Sequence, residues 1–155
     1  MTSQTIRLLL ICTGNTCRSQ MAHAMAADWA QKNGKAMAFA SRGIRATHGA
    51  QTTAEAKLLL AQSGLQWHGT SQQLQAEDLQ WASHVWVMTL EHLQFVLKLG
   101  HSVNLVQRPT VELLDAQQEI TDPLGLGVQA YQALHAQLSQ LLPIRLAALA
   151  GPLVA

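Results

Sequence analysis

The chain has 155 residues and a formal net charge of +1, and only 12% of its residues are charged. A chain of this length can bury the core of one domain, so we expect a single domain over residues 1–155. The lack of a basic tract or stripe argues against nucleic acid or an anionic membrane as an obligate partner. A near-neutral surface of uncharged polar groups favours weak homo-oligomers.

Four apolar runs predict strands, and four longer stretches predict helices. The predicted strands cover residues 6–11, 36–41, 83–88 and 103–105, and the predicted helices cover residues 19–32, 53–63, 91–99 and 128–149. Because strands and helices alternate, we expect an α/β fold with a four-stranded parallel sheet and helices on both faces, which is a three-layer sandwich.

The first apolar run bears on where the protein works. Residues 8–11 are too few for a signal-peptide core or a membrane span, and they lead into Cys12 rather than a cleavage site. We therefore expect a cytoplasmic protein in which both cysteines, Cys12 and Cys17, are thiols. The cysteines lack a second ligand pair and the histidines are scattered, so no metal site is predicted.

The turn between the first strand and the first helix carries the most specific signal. It contains the run Cys12-Thr13-Gly14-Asn15-Thr16-Cys17-Arg18-Ser19. At a strand's carboxyl end and a helix's amino end, free backbone N–H groups and the helix dipole attract anions. Gly14 permits close approach of the backbone to an anion, and Asn15 tolerates the left-handed conformation that a tight turn needs. This segment, called here the Cys12 loop (residues 12–19), is a predicted phosphate-binding loop.

The side chains of the Cys12 loop suit phosphoryl chemistry. The helix dipole and N–H groups stabilise a thiolate, so we predict a depressed pKa for Cys12 and a nucleophilic sulfur. The planar guanidinium of Arg18 can bond two phosphoryl oxygens and stabilise charge in the transition state. Inert buried thiols or a structural disulfide are the alternative interpretations of Cys12 and Cys17.

The motif C-x5-R-S at this turn resembles the low-molecular-weight protein tyrosine phosphatase family. Asp122-Pro123 is similar to the family's Asp-Pro general-acid motif, although Asp before Pro is also a common turn pair. The resemblance extends from Ile6 to about Leu142 and implies the family's flavodoxin-like topology with no metal or organic cofactor.

The resemblance also implies a mechanism. The Cys12 thiolate attacks phosphorus while Asp122 protonates the leaving group, and a phosphocysteine intermediate forms. Asp122 then acts as the base for water, and Ser19 hydrogen-bonds the Cys12 sulfur. The residues that match the family's hydrogen-bonded support for the loop are Asn15, Ser41 and His68.

Three positions bear on the substrate. Tyrosine-directed members carry an aliphatic residue where this chain has Thr16, and threonine there resembles the protein arginine phosphatase branch, as does Thr89. A threonine hydroxyl suits a planar guanidinium that needs hydrogen bonds. Leu124 replaces the aromatic residue that forms the family's substrate platform, which weakens stacking. We therefore predict hydrolysis of protein phosphoarginine, with phosphate as product, and a protein tyrosine phosphatase as the alternative.

Two further alternatives come from other classes. Gln20 stands where the family has proline, and Arg-Ser-Gln-Met-Ala resembles arsenate reductases, which use additional cysteines; this chain has none after Cys17. A non-catalytic phosphate-binding module is expected to lose the nucleophile or the acid, whereas this chain retains both. Cys17 lies five residues after the predicted nucleophile, which predicts a redox-sensitive pair.

Overall fold

The computed structural model describes residues 5–151, which form a parallel sheet between two layers of helices. The strands are β1 (Ile6–Cys12), β2 (Met37–Gly43), β3 (His84–Val87) and β4 (Thr110–Leu113). The helices are α1 (Arg18–Lys32), α2 (Ala54–Gln62), α3 (Ala76–Trp81), α4 (Leu90–His101) and α5 (Val128–Ala150). The strand order is β2-β1-β3-β4 and every pairing is parallel, which confirms the predicted fold class.

Strand β1 runs through the centre of the protein, and its side chains alternate between two cores. Leu8 and Leu10 join Trp86 in the core beneath α1, α2 and α5. Leu9 and Ile11 join the core beneath α3 and α4. A strand buried on both faces needs a continuous apolar run, which is why this strand was visible in the sequence.

The last strand was predicted at the wrong place. The structure has β4 at Thr110–Leu113 and irregular chain over residues 103–105. Thr110 and Glu112 are exposed, while Val111 and Leu113 are partly buried, so this edge strand carries an alternating pattern instead of an apolar run. Helix α3, six residues long, was not predicted.

The chain after β4 returns to the carboxyl end of the sheet. The Leu114 N–H donates to the Val87 carbonyl at 2.8 Å, and the Ile120 N–H donates to the Met88 carbonyl at 3.0 Å. These bonds bring the following residue pair, Asp122-Pro123, towards the end of β1 where the Cys12 loop begins. Within residues 5–151, no helix combines the length and apolar character that crossing a bilayer requires.

Candidate active site

The Cys12 loop closes tightly between β1 and α1. Asn15 has a φ of +58°, the left-handed conformation that its sequence position predicted. The ends of β2 and the loop are joined by two backbone bonds, from Ile44 to the Cys12 carbonyl at 3.0 Å and from Arg45 to the Thr13 carbonyl at 2.9 Å. A Cβ on Gly43 would lie 2.5 Å from the Thr13 carbonyl oxygen, so only glycine permits this approach.

The Cys12 thiol lies at the base of the loop and is 3% exposed. Its Sγ lies 2.9 Å from Ser19 Oγ and accepts the Asn15 N–H at 3.2 Å. Burial raises the pKa of Cys12 above its ordinary value, while the Ser19 hydroxyl, the Arg18 charge and the Ser19 and Asn15 N–H groups lower it. The predicted depression of the pKa is therefore wrong for this structure, because desolvation outweighs the loop dipoles.

Arg18 is buried beside the same cavity. Its Nη1 donates to the Ile120 carbonyl at 2.9 Å, and its Nη2 donates to Thr13 Oγ1 at 3.4 Å. The same Nη2 lies 3.7 Å from Asp122 Oδ2, and the Asp122 side chain is 47% exposed. The guanidinium is thus fixed on one side by protein oxygens while its acidic neighbour remains accessible.

These groups surround a cavity of about 110 Å³ at the carboxyl end of the sheet. Its lining residues are Cys12, Thr13, Gly14, Asn15, Thr16, Cys17, Arg18, Asp122 and Leu124. The structure therefore brings the predicted nucleophile, arginine, acid and specificity residues together. Leu124 is 59% exposed, so its side chain lies at the solvent side of the cavity.

A hydrogen-bond chain orients the hydroxyl of Ser19. Asn15 Nδ2 donates to Ser19 Oγ at 2.7 Å, and Asn15 Oδ1 accepts the Gln72 N–H at 2.9 Å. Ser19 Oγ accepts from Asn15, and the Cys12 sulfur is the acceptor that the described residues offer to its proton, so the hydroxyl donates to Sγ. Asn15 therefore supports the loop, in agreement with the sequence analysis.

The other two predicted support residues lie elsewhere. Ser41 Oγ is paired with His23 Nδ1 at 3.2 Å, and His68 is exposed. Within the described part of the chain, neither residue hydrogen-bonds the Cys12 loop. The backbone of Gln72 holds Asn15 in their place, and a main-chain donor of this kind leaves no signature in the sequence.

Gln20 supports the loop in a way that the sequence analysis missed. Its buried Nε2 donates to the Asn15 carbonyl at 3.0 Å and to the Thr70 carbonyl at 3.2 Å, and its Oε1 accepts from Trp67 Nε1 at 2.7 Å. A Cβ on Gly69 would collide with Gln20 Oε1, so glycine at 69 makes room for this pair. The available signal was a large amide in the first turn of α1 immediately after the Arg-Ser of the motif.

Cys17, at the start of α1, is 4% exposed and lies against α5. Its Sγ is 3.3 Å from the Tyr131 hydroxyl and 3.8 Å from Thr53 Oγ1. Cys12 and Cys17 are both free thiols, so the disulfide alternative is not formed.

The parallel sheet and the loop at its carboxyl end define a class of protein in which the turn from a strand into a helix surrounds a thiol and an arginine. The family model for low molecular weight phosphotyrosine protein phosphatase matches residues 7–151, and the chain belongs to this family.

Proteins similar to this chain are named either as arginine phosphatases or as tyrosine phosphatases. A protein-arginine-phosphatase of Geobacillus stearothermophilus is 31% identical over 139 residues, covering 88% of this chain and 90% of that protein. The low molecular weight protein-tyrosine-phosphatase PtpB of Staphylococcus epidermidis is 26% identical over 137 residues, covering 88% and 94%. A solved YwlE arginine phosphatase variant with a phosphorylated active-site serine has a TM-score of 0.81 and 26% identity, covering 88% of this chain and 91% of that one.

Proposed function

We propose that this protein is a cysteine-dependent protein phosphatase that hydrolyses phosphoarginine through a phosphocysteine intermediate. The observation that carries the proposal is one cavity lined by the Cys12 thiol, the Arg18 guanidinium and the Asp122 carboxyl group, at the turn of a strand into a helix. The phosphorylated active-site serine of the related arginine phosphatase variant supports covalent transfer to the equivalent side chain.

In the first step, the Cys12 thiolate attacks phosphorus and a sulfur–phosphorus bond forms. The bond from phosphorus to the leaving nitrogen breaks, and Asp122 donates its proton to that nitrogen. Arg18 neutralises charge on the phosphoryl oxygens, because its guanidinium lies at the cavity wall and is held by the Ile120 carbonyl.

In the second step, water attacks the phosphocysteine while Asp122 takes up a water proton. The sulfur–phosphorus bond breaks, inorganic phosphate leaves, and the Cys12 thiolate is restored. The Ser19 hydroxyl, 2.9 Å from the sulfur, stabilises the departing thiolate.

The residues that line the cavity favour a substrate whose leaving group is a guanidinium over one whose leaving group is an aromatic ring. Thr16, a hydroxyl-bearing residue, lines the wall, and Leu124 has an aliphatic side chain where an aromatic platform would stack a ring. The 31% identical relative named as an arginine phosphatase supports the same preference. A tyrosine phosphatase is the second candidate, supported by the relative PtpB.

The test compares phosphoarginine and phosphotyrosine versions of one peptide on the same preparation, with phosphate release as the readout. The parent should show the higher kcat/KM for phosphoarginine, and Thr16→Ile should move the ratio towards phosphotyrosine. Cys12→Ser should release no phosphate from either peptide yet still bind phosphate.

The other possible results of this comparison would indicate other functions. Faster hydrolysis of the phosphotyrosine peptide by the parent would identify a tyrosine phosphatase. Phosphate binding without release from either peptide would identify a non-catalytic binding module. Activity of Cys12→Ser within tenfold of the parent would remove Cys12 as the nucleophile.

We also propose the partners, the compartment and the domain organisation of the enzyme. Its partners are phosphorylated proteins, its compartment is the cytoplasm, and one domain over residues 1–155 does the chemistry. The match of the family model to residues 7–151 supports the single domain.

A further inference from the structure

His92 is a buried histidine that contacts the Cys12 loop. It lies in the first turn of α4, is 1% exposed, and places its Nε2 atom 2.8 Å from Thr13 Oγ1. Its position in the sequence predicts no function for it.

Backbone geometry determines which ring nitrogen of His92 carries the proton. The Thr89 N–H, which can only donate, points at Nδ1 at 3.2 Å, so Nδ1 accepts. Burial, followed by the charge of Arg18, lowers the pKa of His92 to about 4, so the ring is neutral at pH 7. Its single proton is therefore on Nε2 and is donated to Thr13.

Thr13 receives a second hydrogen bond on the same oxygen. Arg18 Nη2 donates to Oγ1 at 3.4 Å. A hydroxyl oxygen has two acceptor positions, and the two nitrogen donors use both. The Thr13 proton must then be donated, no residue within 5–151 accepts it, and Thr13 lines the cavity.

We propose that the Thr13 hydroxyl donates a hydrogen bond to the phosphoryl group in this cavity, and that His92 is the positioning residue that fixes the hydroxyl as a donor. The inference rests on the proposed function, because it takes the occupant to be a phosphoryl group. A phosphoryl oxygen accepts hydrogen bonds, whereas a guanidinium only donates them. Thr13 thus serves the phosphoryl group and leaves recognition of the guanidinium to Thr16.

The first experiment removes only the hydroxyl of Thr13. Thr13→Val should weaken binding of inorganic phosphate by about tenfold, the loss expected for one hydrogen bond to a charged group. Thr13→Ser keeps the hydroxyl and should bind phosphate close to the parent value. Isothermal titration calorimetry with inorganic phosphate gives the dissociation constant of each variant without turnover, and aryl phosphate hydrolysis yields kcat and KM separately.

The second experiment tests His92 through a conservative rescue. His92→Leu should weaken phosphate binding, whereas the side-chain amide of His92→Gln can donate from the position of Nε2 and should restore it. Adding His92→Leu to Thr13→Val should cause no further loss of phosphate binding, because the two residues act as one unit. His135→Leu is the matched control, since it removes an Nε2–hydroxyl pair of the same 2.8 Å length at Ser63.

The thermal unfolding midpoint of His92→Leu distinguishes a structural role of His92 from a positioning role. If His92 only stabilises the fold, His92→Leu lowers the midpoint and phosphate affinity stays at the parent value, which overturns its positioning role. Phosphate binding by Thr13→Val as tight as the parent's overturns the inference even if His92→Leu does not fold. A parent that binds phosphate through Thr13 but hydrolyses no phosphorylated substrate overturns the proposed function and leaves this inference standing.

Discussion

The reactivity of Cys12 depends on two opposing influences within a few ångströms of its sulfur. Burial raises the pKa of the thiol, and the Ser19 hydroxyl is the strongest of the groups that lower it. Asn15 Nδ2 donates to the oxygen of this hydroxyl, and the Cys12 sulfur lies where it accepts the hydroxyl proton. The groups that lower the pKa, of which the Ser19 hydroxyl at 2.9 Å is the strongest, therefore decide how much of the nucleophilic thiolate forms.

Ser19→Ala should therefore raise the pKa of Cys12 further. The measurement is the rate of Cys12 alkylation by iodoacetamide against pH, resolved from Cys17 by peptide mass spectrometry; its midpoint should move to higher pH. Ser41→Ala is the control, because the Ser41 hydroxyl pairs with His23 and not with the thiol. Identical profiles for Ser19→Ala and the parent would show that Ser19 does not stabilise the thiolate.

Asp122 lies close enough to Arg18, at 3.7 Å, to share the cavity with it, and it is exposed enough to meet a leaving group. Asp122→Asn should slow hydrolysis by roughly 100-fold or more if the carboxyl group donates the proton. The loss should be larger for phosphoarginine than for p-nitrophenyl phosphate, whose leaving group needs less protonation. Asp115→Asn, which changes a carboxylate outside the cavity, is the control. An unchanged pH–rate profile in Asp122→Asn would exclude this role.

Cys17 is the second thiol of the loop, and we predict that it protects the first. Peroxide converts the Cys12 thiolate to a sulfenic acid, and attack by the Cys17 thiol forms a disulfide and releases water. The parent should regain activity with a thiol reductant, whereas Cys17→Ala should lose that recovery as the sulfur proceeds to sulfinic acid. Equal recovery after matched exposure would assign Cys17 only the packing contact with Tyr131.

At the scale of elements, α1 begins with a brace that joins the Cys12 loop to the segment before α3. Gln20 bonds the Asn15 carbonyl on one side and the Thr70 carbonyl on the other, and Trp67 completes it. The brace acts on the carbonyl of Asn15, the loop residue with a left-handed backbone. Loss of the Gln20 brace would remove a constraint on the backbone at Asn15, the loop residue with a left-handed conformation.

Gln20→Ala should lower the free energy of unfolding by about 1–3 kcal/mol, because the buried Asn15 carbonyl and the partly buried Trp67 indole and Thr70 carbonyl lose their partner. Catalytic turnover should fall with it, since the loop loses its anchor. Trp67→Phe removes one of the three bonds and should show a smaller loss in both measurements. Gln94→Ala, an exposed change on α4, is the control for denaturant titration and kinetics. Parent-like kcat in Gln20→Ala would limit the brace to stability.

At the scale of the whole molecule, two histidines couple folding to pH, His92 buried and His23 partly buried. Burial lowers the pKa of His23 and of His92 from 6.5 to about 4. The unfolded chain binds these protons at higher pH than the folded chain does. Their contribution to stability is therefore complete above pH 6.5 and is lost as the pH falls towards 4.

The free energy of unfolding should be lower at pH 5 than at pH 7 by on the order of 1–2 kcal/mol for each of the two histidines. Denaturant titrations at the two pH values measure the difference. His92→Gln, which has no titrating group at position 92, should reduce it, whereas Gln94→Ala, an exposed change of a non-titrating side chain, should not. A parent stability that stays constant over this interval would contradict the coupling.

The sequence by itself determined the alternating α/β fold, the central strand and the Cys12 loop. These features are local: a strand buried on both faces is a continuous apolar run, and the loop is eight consecutive residues that resemble a known family. Asp122 was found through the same resemblance.

The tertiary structure decided which side chains meet across the sequence. The edge strand β4, half exposed, carries no apolar run, so its place depends on pairing with β3. The pKa of Cys12 depends on burial, which the loop sequence does not encode. His92 meets Thr13 across 79 residues and Trp67 meets Gln20 across 47, because a parallel sheet gathers the carboxyl ends of distant strands at one edge.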